Sequence, residues 1–242
     1  IALERGLDVD TRGYEEEMEK QRERGKQSWK AASGSLDEAC EAIGKSAADT
    51  VFRGYEVDRL TSTVEFLHDG TAAADRLAGG SKGLLVLKET PFYGESGGQV
   101  GDIGTITSAS GAEFRVEDTK KYNKTIIHIG EVTRGEFKQG DRVEAVIDVV
   151  NRNLIRANHT VTHLLHAALR RVLGAHVKQA GSLVSPERMR FDFSHFNALS
   201  AGEIKEVEEI VNRKIWENIP VMTTVMKYQD AVKTGAMAVF DE

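Results

Sequence analysis

The sequence predicts an α+β protein in three successive parts: a helical connector over residues 1–48, a small glycine-rich β-barrel over 49–150, and a further α+β unit over 151–242 whose helices lie on one side of a mostly antiparallel sheet. Three observations carry this expectation. The N-terminal run is densely charged and sparsely apolar, the middle alternates short β-rich runs with glycine, and from Arg156 the apolar spacing becomes helical before turning to strand alternation.

The composition fits such a chain. Across 242 residues, 40% hydrophobic against 29% charged, with Gly 23 and Pro 3, describes an ordinary globular sequence and excludes disorder over the whole length. No apolar run approaches the roughly 18 residues needed to cross a bilayer, so no membrane partner is expected. The start, Ile1-Ala2-Leu3-Glu4, has neither an initiator Met nor a signal-like layout, and a piece of a longer protein is expected. A single cysteine, Cys40, forms no internal disulfide and fits a reducing compartment; a cytoplasmic location is expected.

Thr11 to Lys30 reads as a solvated helix with Tyr14, Met18 and Trp29 as its few apolar residues. From Ser33 to Asp49 small and polar residues predominate, reading as a linker or loosely helical connector. Strand candidates follow at Thr50–Val57, Leu84–Leu87, Ile126–Ile129 and Arg142–Ile147, with Gln139-Gly140-Asp141 as a turn before the last. Inside this region lies PFYGESGGQVGDIG, with Gly94, Gly97, Gly98, Gly101 and Gly104. It lacks the Lys-Ser/Thr of a phosphate loop and the strand-to-helix setting of a dinucleotide fingerprint, so tight turns or close backbone approach are expected instead.

The run ANHTVTHLLHAALRRVLG reads as a helix closed by Gly174. Strand candidates Val177–Val184 and Arg188–Ser194 follow, joined by Ser185-Pro186-Glu187, with Met189, Phe191 and Phe193 alternating against Arg190, Asp192 and Ser194. Ser200 and Glu203 form a capping box before an amphipathic helix that Pro220 stops, and Val221 and Val225 suit one more strand.

The net charge of −6 argues against binding nucleic acid through bulk positive charge. Locally the balance reverses: Asn151 to His195 holds seven basic residues and two acidic ones, 7 − 2 = +5. On a helical wheel of about 100° per residue, His163, His166 and Arg170 fall within about 40° of His159, opposite the apolar face, so the stripe is expected to look outward. His159 and His163, one turn apart, can direct two imidazoles to one divalent metal, which is half of a zinc site. Thr160 stands where an H-E-x-x-H protease carries its glutamate, so that chemistry is not expected. Gln179, Ser182, Arg190 and Asp192 form the polar strand surroundings of the stripe.

NHTVTHLLHAALRRVLGAHVKQAGSLVSPERMRFDFSH resembles the start of the editing domain of alanyl-tRNA synthetases, ETPFYGESGGQVGDIG resembles the glycine-rich segment before it, and GAMAVF matches a third family segment. The stretch ERGLDVDTRGYEEEMEKQRERGK resembles the connector to the tRNA-recognition region. The resemblance implies hydrolysis of mischarged Ser-tRNA(Ala) and Gly-tRNA(Ala) at the ester to the terminal adenosine, in a parent enzyme that ligates alanine to tRNA(Ala) with ATP and Mg2+ in a domain outside this sequence. It implies His159 and His163 as Zn2+ ligands, with Thr162, Gln179 and Ser182 at the amino-acid pocket. The family completes the metal with a C-x-x-x-H segment downstream of GAMA, beyond Glu242, so this stretch alone is expected to edit poorly or not at all. Arg152, Arg156, Arg170, Lys178 and Arg190 are the candidates for contact with the tRNA acceptor end. Two other readings stay open: a non-catalytic acceptor-end binding module, and a free-standing editing protein.

Overall fold

The computed structural model describes residues 36–235, together with Asp10, Gly13, Glu17 and Lys20. Gly13, Glu17 and Lys20 are helical, as expected of the Thr11–Lys30 run; the rest of that run, and the GAMAVF segment beyond its first residue, Gly235, lie outside the described residues.

Residues 36–46 form a helix, α1. The expected loose connector is instead a docked element: Cys40 and Ile43 are fully buried against Leu84, Val86 and Ile127, with Ala47, Phe66 and Tyr122 around them. Positions 40, 43 and 47 share one helix face. Gly44 permits the approach, since a β-carbon there would lie 2.5 Å from Cβ of Tyr122.

Ten strands follow: β1 (Val51–Phe52), β2 (Arg59–His68), β3 (Arg76–Ala78), β4 (Lys82–Leu87), β5 (Glu89–Thr90), β6 (Gly104–Ser108), β7 (Glu113–Tyr122), β8 (Thr125–Arg134), β9 (Glu136–Lys138) and β10 (Arg142–Ile147). Six close into a barrel in the order β10-β2-β4-β8-β7-β6, every neighbouring pair antiparallel. Strand β4 reads as an unbroken apolar run because both faces are covered. Leu85 and Leu87 enter the barrel core beside Phe92, Phe114 and Phe137, whereas Leu84 and Val86 meet α1. The β7–β8 hairpin turns on Asn123-Lys124, with Asn123 at φ 53°, a conformation that asparagine tolerates.

His128 is buried inside the barrel. Its Nδ1 lies 2.9 Å from the Leu85 carbonyl, which can only accept, so Nδ1 carries the proton and Nε2 accepts from the Thr90 hydroxyl at 2.8 Å. Burial pushes its pKa down to about 4.

The last part is built on α2 (Val149–Leu173), β11 (Gln179–Val184), β12 (Met189–Phe193), α3 (Ala201–Trp216) and α4 (Tyr228–Lys233). Helix α2 starts seven residues before the expected Arg156, N-capped by Asp148, whose Oδ1 accepts from the Asn151 amide at 2.9 Å. β11 and β12 pair antiparallel, and α3 carries the expected Ser200/Glu203 capping box. Leu169, Val177, Phe191, Phe193 and Val207 make a core between α2, α3 and the hairpin. The strand expected at Val221 and Val225 does not form: this stretch is unpaired and both side chains are largely exposed. Alternation suited a strand there, but no strand among the described residues pairs with it.

Candidate functional site

The histidine stripe lies where α2 meets the glycine-rich segment and β11. His159 and His163 stack with ring centroids 5.0 Å apart and planes inclined by 22°. Nδ1 of His159 lies 2.7 Å from Oε1 of the buried Gln99. An amide oxygen only accepts, so Nδ1 donates and Nε2 keeps its lone pair for a ligand. Desolvation, and then the neighbouring His163, lower the His159 pKa and favour the neutral imidazole that binds metals.

Gln99 is held by the glycines, which act here as turn and close-approach residues. Gly97 and Gly98 have φ of 59° and 84°, and a β-carbon on Gly98 would come within 2.4 Å of the Ser182 carbonyl oxygen. This closeness lets the segment join β11: the Val184 amide donates to the Gly98 carbonyl at 2.7 Å, and the Val100 amide donates to the Val184 carbonyl at 3.1 Å. The glycine segment of the barrel thus forms a wall of the histidine site. Sequence reasoning did not find Gln99; its only signal is its place between Gly98 and Gly101.

Strand β11 brings Gln179 and Ser182 together through a bulge. Gln179 pairs with Phe193 and Ser182 with Phe191, with a register shift between Gln179 and Gly181. Without the shift, residues three apart would point to opposite faces of the strand. With it, both share the face of Phe191 and Phe193, which is turned to α2. Arg190 and Asp192 take the other face and pair at 3.1 Å, so they leave the surroundings expected of the stripe. Thr162 is buried, and its hydroxyl donates to the Asn158 carbonyl at 2.9 Å. Asn158, also unanticipated, ties α2 to the hairpin turn, its amide donating to the Ser185 carbonyl at 2.8 Å.

The stripe does not look outward throughout. His166 tilts onto Phe191 at 5.3 Å, and its Nε2 is sealed from solvent with no hydrogen-bond partner among the described residues.

The proposed tRNA contacts divide. Arg152 is not placed to meet a phosphate: it is 4% exposed, and Nε donates to Asp102 Oδ1 at 2.8 Å while Nη1 and Nη2 donate to the carbonyls of Gly54 and Pro91, each at 3.0 Å. Arg170 caps the end of α2 on the carbonyls of Ala175 and Val177. Arg190 is held by Asp192, leaving Arg156 and Lys178, of these five, as the exposed cations without a carboxylate partner among the described residues.

For zinc, the donor set fits in part. Two imidazoles one helical turn apart, one with its second nitrogen fixed by an amide acceptor, are what a zinc site asks of its histidines. No three His, Cys, Asp or Glu side chains converge among the described residues. Cys40 is buried under α1 against the barrel, where burial raises its thiol pKa to about 11, and it takes no part. No described helix is long and apolar enough to cross a membrane.

The family described as tRNA synthetases class II (A) matches residues 1–151, and the chain belongs to it. Within that class the resemblance runs to the alanine enzymes: the chain is 48% identical over 243 aligned positions to the alanine–tRNA ligase of Parvibaculum lavamentivorans. The alignment covers 98% of this chain and 27% of that enzyme, so the chain spans about a quarter of its curated relative.

Proposed function

We propose that this chain is the editing part of a cytoplasmic alanyl-tRNA synthetase, hydrolysing the aminoacyl ester of mischarged Ser-tRNA(Ala) and Gly-tRNA(Ala). The parent enzyme ligates alanine to tRNA(Ala) with ATP and Mg2+ bound elsewhere. The observation that carries this reading is the stacked His159–His163 pair with Gln99 fixing the His159 tautomer. His159 and His163 would hold Zn2+, with a Cys and a His from a C-x-x-x-H segment beyond residue 242. When bound, the metal supplies a Lewis acid that holds and polarises the mischarged amino acid.

The chain's own residues supply selectivity. Ser182 and Gln179, on the strand face turned to α2, offer a hydroxyl and an amide to a seryl side chain. A site that hydrogen-bonds a hydroxyl discriminates far more strongly than one that senses size alone. Thr162 spends its proton on Asn158 and keeps an oxygen lone pair as an acceptor. The family match over residues 1–151 supports a synthetase parent over a free-standing editing protein.

The test is Ser-tRNA(Ala) deacylation by the full-length enzyme, with and without chelator and with His163→Ala. Loss of hydrolysis in both cases, with alanylation retained, is expected. A full-length enzyme that binds tRNA(Ala) but leaves the seryl ester intact would make this region a binding module instead. The 242-residue chain alone is expected to deacylate poorly or not at all.

A further inference from the structure

A second ring cluster stands beyond the C-terminal end of α2. Nε2 of His176 and Nδ1 of His195 lie 2.9 Å apart with the two rings inclined by 22°, so one imidazole donates to the other. No third His, Cys, Asp or Glu side chain joins them among the described residues, and the pair serves as a brace. Phe196 stacks on His176, with centroids 4.7 Å apart and planes inclined by 25°. Yet Phe196 is 75% exposed, which leaves most of a large apolar ring open to water.

The ring is held in place from below. Arg170 donates to the carbonyls of Ala175 and Val177, on either side of His176, at 2.8 and 3.0 Å. The Ser194 amide donates to the Lys178 carbonyl at 3.0 Å, and the Lys178 amide donates to the Ser194 hydroxyl at 3.3 Å, so both imidazoles extend from a tied end of the β11–β12 hairpin. A ring fixed in this way loses little freedom when another ring stacks on it. Lys178 is exposed and adds a cation without a carboxylate partner among the described residues. Glu203, the carboxylate near His195, is turned back onto the Ser200 amide and hydroxyl, both at 2.8 Å. An open aromatic face beside a free cation is the arrangement that holds single-stranded nucleic acid, the base on the ring and the backbone on the charge.

Position selects which nucleotide. Gln179 lies three residues after His176, at most about 11 Å along the chain, and it pairs with Phe193, three residues before Phe196. The rings therefore stand on the hairpin that carries Gln179 and Ser182, at the end away from the Ser185 turn. Resting on the editing reading above, we infer that Phe196, backed by His176, stacks an unpaired base of the tRNA 3′ end, just upstream of the terminal adenosine that carries the ester, with Lys178 on its phosphate.

The experiment uses the full-length synthetase with Phe196→Ala, Phe196→Leu and Phe196→Trp, reading KM and kcat for Ser-tRNA(Ala) deacylation, alanylation rate and thermal midpoint. Phe196→Ala and Phe196→Leu should each raise KM about 10-fold with kcat little changed, the loss expected for one base–ring stack. Phe196→Trp, which keeps an aromatic face, should stay close to wild type, and alanylation and the thermal midpoint should not move in any variant. An unchanged KM in Phe196→Ala overturns the inference while the editing reading stands. So does a Phe196→Leu enzyme as good as Phe196→Trp, or a lowered thermal midpoint in Phe196→Ala, since either makes the ring an apolar seat for another part of the parent chain. Wild-type enzyme that leaves Ser-tRNA(Ala) intact overturns both readings.

Discussion

Replacing Asp102 by Ala should destabilise the junction between barrel and histidine helix more than a surface change of the same kind. Asp102 and Arg152 are 1% and 4% exposed, and Asp102 is the carboxylate that neutralises the guanidinium. In the variant Arg152 keeps its bonds to the Gly54 and Pro91 carbonyls but becomes a buried, uncompensated charge, which costs about 3–5 kcal/mol. The Tyr93 amide also loses its acceptor, Asp102 Oδ2 at 2.7 Å, for about 1 kcal/mol more. The sum, roughly 4–6 kcal/mol, is comparable to the whole stability of many domains.

Equilibrium urea unfolding of the 242-residue chain, followed by far-ultraviolet circular dichroism, reads this cost. The double variant Asp102→Leu with Arg152→Met removes both charges and should recover several kcal/mol relative to Asp102→Ala, because well-packed apolar replacements of buried pairs are often tolerated. A loss below about 1 kcal/mol for Asp102→Ala would refute the assignment of Arg152 as a buried strut. So would a double variant whose loss equals the sum of the two single ones. The outcome also bears on the site: Arg152 stands two helical turns before His159, so α2 and Gln99 share this anchor.

Acidification should weaken the barrel through His128: its folded pKa of about 4 lies below the usual 6.5, so the unfolded chain binds the extra proton first. That stability is intact above pH 6.5 and falls as the pH drops towards 4, by about 2 kcal/mol at pH 5 and about 3 in full, a drop that thermal unfolding of wild type should show and His128→Leu should lack. Gly98→Ala should be costlier than Gly97→Ala, since its β-carbon would meet the Ser182 carbonyl oxygen at 2.4 Å whereas the one on Gly97 enters open space; thermal midpoints of the two variants check this. Gln99→Leu should weaken zinc binding by the full-length enzyme about 10- to 100-fold in a chelator competition, through loss of the His159 Nδ1 partner. In tRNA(Ala) binding measured against salt, Arg156→Ala and Lys178→Ala should each lower the salt slope by about one contact, whereas Arg190→Ala should leave it unchanged.

The barrel could be read in the sequence where strands carry continuous or alternating apolar runs, and not where they bury small or polar groups. Leu84–Leu87 stands out because β4 is covered on both sides, by the barrel core and by α1. Strand β7 (Glu113–Tyr122) escaped notice because its Glu, Lys and Asp residues face out and its buried positions include Thr119. Helix α1 looked like a linker for a related reason. Its packing face is made of Cys40, Ile43 and Ala47, and only contact with Leu84 and Ile127 turns so small a stripe into a core.

The histidine pair was legible because one helical turn is a local relation, which spacing records. What makes the pair usable is not local. Gln99 precedes His159 by sixty residues and reaches it only because Gly97 and Gly98 let the barrel's glycine segment zip onto β11. The bulge that turns Gln179 and Ser182 to one face is likewise invisible in a strict period of two. Charge misled in the same way: Arg152 and Arg156 lie one turn apart on α2, yet one is locked to a carboxylate fifty residues earlier in the chain and the other is open to solvent. Spacing along a helix therefore identifies which groups can act together, and the partners supplied by distant segments decide which of them are free to act.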